Sequence, residues 1–538
     1  MRHGGQILVD QLEIQGVDRV FCVPGESYLA ALDGLFDSNI ETIIGRQEGG
    51  VAMMAEAHGK LTGRPGVAFV TRGPGATNAS AGVHIALQDS TPMVLFIGQV
   101  ATDQRDREAF QEVDYRQMFS PLAKWVAEID RTDRIPEYIS HAFHVAMSGR
   151  PGPVVLALPE DILSAMADVA DGAPANPARQ TVSQNAVTEV MDWLKEARNP
   201  MVIVGGGGWS AQAAKDLGRF ASAQGLPVGT SFRCQDYIDN RHPNYVGDVG
   251  IAPNPELGAL VADSDCILVL GARLGEMTSG GYELFDIPTP RQKIIHIHAD
   301  PNEIGRVYRP EIGLACQSGE FLSTAMDLIA EQSADRRSAP RAAYERWQQP
   351  FQTPGAVKME QVITHASEVL PHDAIITNGA GNYAGWLHRY YCYKSYRTQL
   401  APTSGSMGYG LPAAVAAKLA YPSKEVICFA GDGCFQMTMQ EFGTAAQYGA
   451  KVIVIVVNNG VYGTIRMHQQ RSYPEWPSGT TLQNPDFAGL AQCYGGYGEH
   501  VYKTEEFPAA LARARAASTS AIIELHTDPS AVSPRTAG

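Results

Sequence analysis

The sequence predicts an α/β protein built from three doubly wound parallel-sheet domains, and three observations carry that expectation. At 538 residues the chain is too long for one hydrophobic core. Short β-branched runs ending in Gly, Ala or Asp recur along it, separated by helix-like stretches, as expected for strands buried on both faces of a parallel sheet. Two polar, proline-bearing stretches, ADVADGAPANPARQ and EQSADRRSAPRAAYERWQQPFQTPG, interrupt the pattern and read as connections.

Taken in order, residues 1–165 form the first unit, with VDRVFCV, ETIIG, GVAFVT, PMVLFIG and GPVVLALP as strands and VAMMAEAHGKLTG as a helix between them. Residues 185–330 form the second, with NPMVIVGGGGWS, ADSDCILVLGARL and QKIIHIHAD. Residues 356–528 form the third, with DAIITNGAG, EVICFAGDG, KVIVIVVNNG and SAIIELHTD. The first and third units share a βα layout, yet no local repeat is long enough to prove duplication.

Composition narrows the function classes. With 44% hydrophobic and 18% charged residues the chain is folded and globular. Its 57 acidic against 42 basic residues leave a formal charge of -15, which argues against a nucleic-acid or anionic-membrane surface. The start, MRHGGQILVDQLEIQG, has no continuous apolar core, and no segment offers about 20 uninterrupted apolar residues, so neither secretion nor membrane spanning is expected. The eight cysteines lack metal-knuckle spacing and fit a reduced, cytoplasmic setting.

The most informative stretch is VICFAGDGCFQMTMQEFGTAAQYGAKVIVIVVNNGVYG. Here Gly431 and Gly433 let a buried strand turn sharply around Asp432, and a helix over Met437–Tyr448 is expected to offer early amides to an anion. The next apolar run returns to the same sheet edge, where Asn458 and Asn459 precede Gly460. The Asp432 carboxylate, the Asn459 amide and the Val461 carbonyl would give Mg2+ three oxygen ligands, leaving room for a diphosphate. The blander alternative is a helix-capping Asp and an Asn turn.

With GDG followed at this interval by NN, and LPAAVAAKLAYP ahead of both, the chain resembles the thiamine diphosphate-dependent enzymes, and more closely their acetolactate synthase-like members. The resemblance covers nearly the whole chain. It implies a pyrimidine-binding, a central and a diphosphate-binding domain, with thiamine diphosphate and Mg2+ as cofactors. It assigns Glu48, in GRQEGG after a strand, to the pyrimidine ring N1′, where a carboxylate drives cofactor activation. Without the resemblance Glu48 reads as an ordinary helix N-terminal residue. Gln47 stands where many synthases carry His.

Further correspondences are implied in the same way. Met407, beside Ser406 in GSMG, resembles the bulky residue that keeps the cofactor bent. Gly381 and Asn382 resemble a diphosphate-contacting loop, with Tyr383 replacing a frequent His; the backbone of Gly433 and Cys434 completes that contact. Phe110 and Gln111 resemble an aromatic and amide pair facing the substrate, and Gln111 can donate to an oxyanion or carboxylate, which favours a small 2-oxo acid. Taken alone, the same residues read as an exposed turn.

No adjacent His pair of the kind used by simple decarboxylases occurs in the first domain, which shifts weight toward carboligation. GTIRMHQQ stands where synthases carry GMVRQWQ, placing Thr464 and His468 at the Met and Trp positions. This puts the usual acceptor preference in doubt. His468 is either an acid/base group or a surface histidine. The family pairs the pyrimidine-binding domain of one subunit with the diphosphate-binding domain of another, so a homodimer is the minimum and a homotetramer the alternative.

In the middle unit, GGGGWS from Gly205 matches GxGxxG only loosely, and packing is the default reading. FAD, often bound there in the synthase branch, an adenine nucleotide or no ligand are the alternatives, with GARLGEMTSGGY, HIHADPNEIGR and the Gly247–Pro253 stretch as nearby loops. The activity expected is decarboxylation of a 2-oxo acid followed by carboligation. The alternatives are an aldehyde-releasing decarboxylase, a catalytically silent cofactor-binding homologue and a nicotinamide dehydrogenase.

Overall fold

The computed structural model describes residues 1–329, 335–475 and 478–534. Twenty strands follow in chain order. They are β1 (Arg2–His3), β2 (Arg19–Cys22), β3 (Glu41–Ile44), β4 (Gly66–Val70), β5 (Met93–Gln99), β6 (Trp125–Glu128), β7 (Pro153–Pro159) and β8 (Met166–Ala167). Next come β9 (Pro200–Val204), β10 (Val228–Thr230), β11 (Tyr245–Asp248), β12 (Cys266–Leu270), β13 (Lys293–Ile297) and β14 (Ile312–Leu314). The last are β15 (Ile375–Asn378), β16 (Gln399–Leu400), β17 (Val426–Gly431), β18 (Ile453–Asn458), β19 (Tyr497–Val501) and β20 (Ala521–His526).

Three six-stranded parallel sheets result, in the orders β3-β2-β4-β5-β7-β6, β11-β10-β9-β12-β13-β14 and β16-β15-β17-β18-β20-β19. Counted within each domain, the first and third orders are identical, whereas the middle one is the 3-2-1-4-5-6 order of dinucleotide-binding folds. The likeness of first and third units suggested by the sequence is thus one of topology. Among the described residues the small pair β1-β8 is antiparallel, as is an isolated bridge between Val461 and Thr481.

Strand composition follows from burial on both faces: every residue of MVLFIGQ in β5 and of PVVLALP in β7 is buried. The helix Glu48–Thr62 shows how local signals set the ends. The Gln47 side chain caps it by accepting from Gly50 N at 3.1 Å, and Gly63 ends it in the left-handed conformation at φ +75°. Its apolar face, from Val51 to Leu61, shares one continuous core with Leu411–Ala417 of the third domain.

Two expectations change. The helix expected over Met437–Tyr448 is shorter, Glu441–Gln447, and a separate short helix, Asp432–Gln436, precedes it. Glu441 at its start reaches the backbone amides of Arg46 and Gln47 in the first domain. The alanine-rich connection after β8 has no regular structure, yet it is anchored: Gln11 Nε2 donates to Asp171 Oδ1 at 3.0 Å and Gln15 Nε2 to Ala173 O at 3.1 Å. None of the eight cysteines forms a disulfide.

Candidate active site

In the third domain the loops after β15, β17 and β18 meet where the strand order reverses, the place where open α/β sheets bind ligands. Asp432, 3% exposed, follows β17 directly. Its Oδ1 accepts from Gly433 N at 2.8 Å, and its Oδ2 accepts from Gly460 N at 2.8 Å and Asn484 Nδ2 at 2.7 Å. Burial pushes this carboxyl up from the ordinary range, and the N–H donors oppose the shift. No basic side chain pairs with it among the described residues.

Asn484 also donates to Asn458 Oδ1 at 2.8 Å, and Asn458 Nδ2 donates to Glu524 Oε1 at 2.7 Å. The Asn459 Oδ1 accepts from Val461 N at 3.1 Å, which folds the turn so that Val461, 7% exposed, stays against the site. Gly433 lies under the Tyr462 ring, where a Cβ would fall 2.5 Å from a ring carbon. Only glycine fits beneath that ring.

The remaining third-domain candidates gather around this cradle. Cys434 is buried, with Sγ accepting from Gly408 N at 3.2 Å and 3.5 Å from Tyr383 OH. Tyr383 OH in turn accepts from Gly379 N at 3.0 Å, so the Tyr that replaces a family His ties two loops together. Asn382 accepts from Thr464 Oγ1 at 2.9 Å and donates to Val532 O at 2.7 Å; Gly381 beside it has φ +141°. Ser406 is half-buried and donates to Met407 O at 3.1 Å, while Met407 packs on the adjoining core. His468 lies on the helix Gly463–Ser472, exposed and without a partner.

The first-domain candidates form a second group at the matching sheet edge. Glu48 is half-buried at its helix start and accepts from Asn78 Nδ2 at 2.9 Å. Gly75, at the start of the helix Gly73–Asp89, would place a Cβ 3.5 Å from Glu48 Oε1. Gly73 N donates to Gln111 O at 3.0 Å, which draws Gln111 toward the same corner with a left-handed φ of +65°. Phe110 beside it is 71% exposed.

Between the groups stands Glu441, fully buried, whose Oε1 accepts from Arg46 N at 3.1 Å and Gln47 N at 3.0 Å. Among the described residues no hydrogen bond or ion pair joins Glu48 to the Asp432 cradle. Arg233 of the middle domain, 4% exposed, donates to Pro402 O and, at 2.8 Å, to Gly379 O, supporting both site loops from below.

Sequence reasoning missed Asn78, Arg233, Glu441, Asn484 and Glu524. Each lies outside the GDG and NN stretches and reaches the site only through the fold. Of the loops flagged for a nucleotide, the turn at Gly206, GARLGEMTSGGY and the Gly247–Pro253 stretch line a cavity of about 480 Å³ between the domains with Gly206, Ser231, Ile251, Arg273, Met277 and Thr278, whereas HIHADPNEIGR lines a separate cavity through His296, Glu303 and Arg306. Gly206, at φ +75°, is taken up by packing: a Cβ there would meet Gly271 O at 1.9 Å.

Fold and site together define an α/β enzyme that works through an anionic cofactor and a cation at a topological switch point. Family models for the thiamine pyrophosphate enzymes match in three parts: the N-terminal TPP binding domain at residues 2–118, the central domain at 187–324 and the C-terminal TPP binding domain at 379–525. Acetolactate synthase isozyme 2 large subunit of Escherichia coli is 31% identical, over 95% of this chain and 92% of that protein. The acetolactate synthase large subunit of Corynebacterium glutamicum is 32% identical, over 95% and 84%. The chain belongs to the thiamine diphosphate-dependent enzyme family, in its acetolactate synthase-like branch.

The residues present fit that cofactor. Asp432 is a nearly buried carboxylate satisfied only by N–H donors, so a divalent ion would supply the missing positive charge. The start of the following helix, at Gly433 and Cys434, is where a diphosphate would lie.

Proposed function

We propose that this chain decarboxylates a small 2-oxo acid and joins the retained unit to an acceptor carbonyl, in an assembly of at least two copies. The observation that carries the reading is a pairing of two sheet edges. A buried acid-and-amide cradle lies at one switch point, and a half-buried Glu48 lies at the matching edge of a topologically identical domain.

Thiamine diphosphate, when bound, supplies the nucleophilic carbon and the electron sink that loss of carbon dioxide requires. In this reading Asp432, Asn459 and the Val461 carbonyl hold Mg2+, and Gly381, Asn382, Gly433 and Cys434 face the diphosphate. Met407 and Ser406 shape the bend between the cofactor rings. Glu48 holds a proton at N1′ of the pyrimidine, and Gln111 donates to the substrate carboxylate or oxyanion. Thr464 secures Asn382, and His468 is positioned to meet the acceptor only where a second copy covers its helix.

Open apolar side chains beside both groups support that second copy: Phe110, Met437 and Ile465 are 71%, 48% and 55% exposed. No helix among the described residues is long and apolar enough to cross a membrane. A cytoplasmic setting belongs to the proposal; FAD, an adenine nucleotide and no ligand stay open as alternatives for the interdomain cavity, to which no chemical step is assigned.

The test is product analysis by NMR after incubation with pyruvate, thiamine diphosphate and Mg2+, beside a Glu48→Gln control. Acetolactate that disappears in the control is the expected result. Acetaldehyde without acetolactate would replace ligation by simple decarboxylation. Bound cofactor with no turnover of any 2-oxo acid would leave a silent homologue.

A further inference from the structure

At the outer edge of the third sheet, β19 and β20 run parallel with His500 in register opposite Glu524. His526 lies two residues beyond Glu524 on the same strand, so strand periodicity turns it to the same face. The result is a cluster of two imidazoles and one carboxylate whose nearest ligand atoms all fall within 4.8 Å of one another. His500 Nδ1 is 3.1 Å from His526 Nε2 and 3.5 Å from Glu524 Oε2, while His526 Nε2 is 3.7 Å from Glu524 Oε1. Ligands about 2.1 Å from a tetrahedral ion stand about 3.4 Å apart, between the 3.1 Å that separates the two imidazoles and the 3.7 Å from His526 to Glu524 Oε1.

The surroundings hold these atoms in place. Glu524, 2% exposed, is fixed by Asn458 Nδ2 on Oε1 and by Phe487 N at 3.0 Å and Ala488 N at 3.3 Å on Oε2, which leaves Oε1, with its single donor, as the oxygen that keeps a free lone pair. His500 Nε2 lies 3.3 Å from Asp486 Oδ1, itself anchored by Gly489 N at 2.7 Å. A proton on Nε2, toward that carboxylate, would leave the Nδ1 lone pair turned inward, the outer-shell pattern of metal-binding histidines. The Tyr502 ring stacks on His526 at 4.3 Å and 8°, fixing its plane. Both histidines are partly exposed, which leaves a path and a fourth position for water.

We propose that His500, His526 and Glu524 bind one divalent transition-metal ion of the Zn2+ type, separate from the Mg2+ cradle. Imidazole and carboxylate donors select such an ion over Mg2+. The Glu524–Asn458 hydrogen bond connects the site to the asparagine turn.

The test is equilibrium dialysis of the full-length protein, loaded with thiamine diphosphate and excess Mg2+, against micromolar Zn2+, followed by metal analysis. About one Zn2+ per chain is expected, at least roughly tenfold weaker in His500→Gln and in His526→Gln and unchanged in Cys493→Ser, which removes the exposed thiol. Co2+ bound to the unmutated protein should show the intense visible bands of a four-coordinate site, a readout that does not depend on either variant folding. Negligible Zn2+ retention, retention unchanged in both His variants, or octahedral Co2+ bands would overturn the proposal. A proton shared between the two rings would then account for their closeness.

Discussion

At the scale of single residues, Asn484 is the most instructive. It donates to both Asp432 and Asn458, so one amide sets the spacing of the cradle's acid and its asparagine turn. As a positioning residue it should act through metal affinity. Asn484→Ala is expected to weaken Mg2+ binding by about 10- to 100-fold, with far less effect on turnover at saturating Mg2+. Titrating Mg2+ against the circular-dichroism signal of bound thiamine diphosphate, alongside kcat at high Mg2+, separates the two. Nothing in TTLQNPDF announces this role, because the carboxamide acquires it only when the loop folds over β17 and β18. Asp432, Asn459 and Glu48 were legible for the opposite reason: they sit within short motifs whose backbone turn and strand are written locally.

Among elements, the short helix Glu441–Gln447 links the two halves of the chain's site. Its buried carboxylate satisfies the amides of Arg46 and Gln47, the residues that place Glu48 at its helix start. Gly50 makes the approach feasible, since a Cβ there would fall 2.7 Å from Glu441 Oε1. Glu441→Ala should cost about 1–3 kcal/mol, because it leaves buried amides without an acceptor, and should lower activity by disturbing Glu48. Denaturant unfolding and steady-state kinetics check both effects. The sequence showed a helical pattern from Met437, and local propensity could not reveal that the helix begins at Glu441, whose carboxylate crosses to the first domain.

The helix Glu48–Thr62 carries a second buried acid. Glu56 accepts from Thr91 Oγ1 at 2.7 Å and from Tyr409 OH, near Asp89 and Lys60. Burial and then the Asp89 carboxylate push its proton affinity well above the usual range, against the pull of Lys60 and the two hydroxyls. With a raised folded pKa, the stabilisation is complete below the unfolded value of about 4.3 and is lost as pH rises toward the folded one. Within that window stability attributable to Glu56 should fall by about 1.4 kcal/mol per pH unit. Unfolding free energies of the native chain and Glu56→Gln, compared from about pH 4.5 upward, should converge or cross accordingly; a pH-independent difference would refute this assignment.

For the whole molecule, the architecture explains both what was readable and what was not. Three parallel-sheet domains follow from apolar runs that end in small or acidic residues. The identical strand orders of the first and third domains do not, since topology depends on crossovers rather than on local composition. Likewise, the buried side of the helix Glu48–Thr62 could be recognised as apolar, but its partner, the helix Gly410–Ala420, lies far away in sequence. The same separation explains why Glu48 and Asp432 are recognisable individually, while their meeting, in the function proposed above, takes a second copy.

That meeting is the account's central claim, and subunit mixing tests it most directly. Glu48→Gln and Asp432→Ala are each expected to be inactive alone, and dissociating and reassociating them together forms mixed dimers with one intact site. With random pairing, acetolactate formation should return to about one quarter of the unmutated rate, since half the dimers are mixed and each has one working site of two. If both variants fold and exchange subunits but their mixture stays inactive, Glu48 and Asp432 must serve the same chain, and the shared site is wrong.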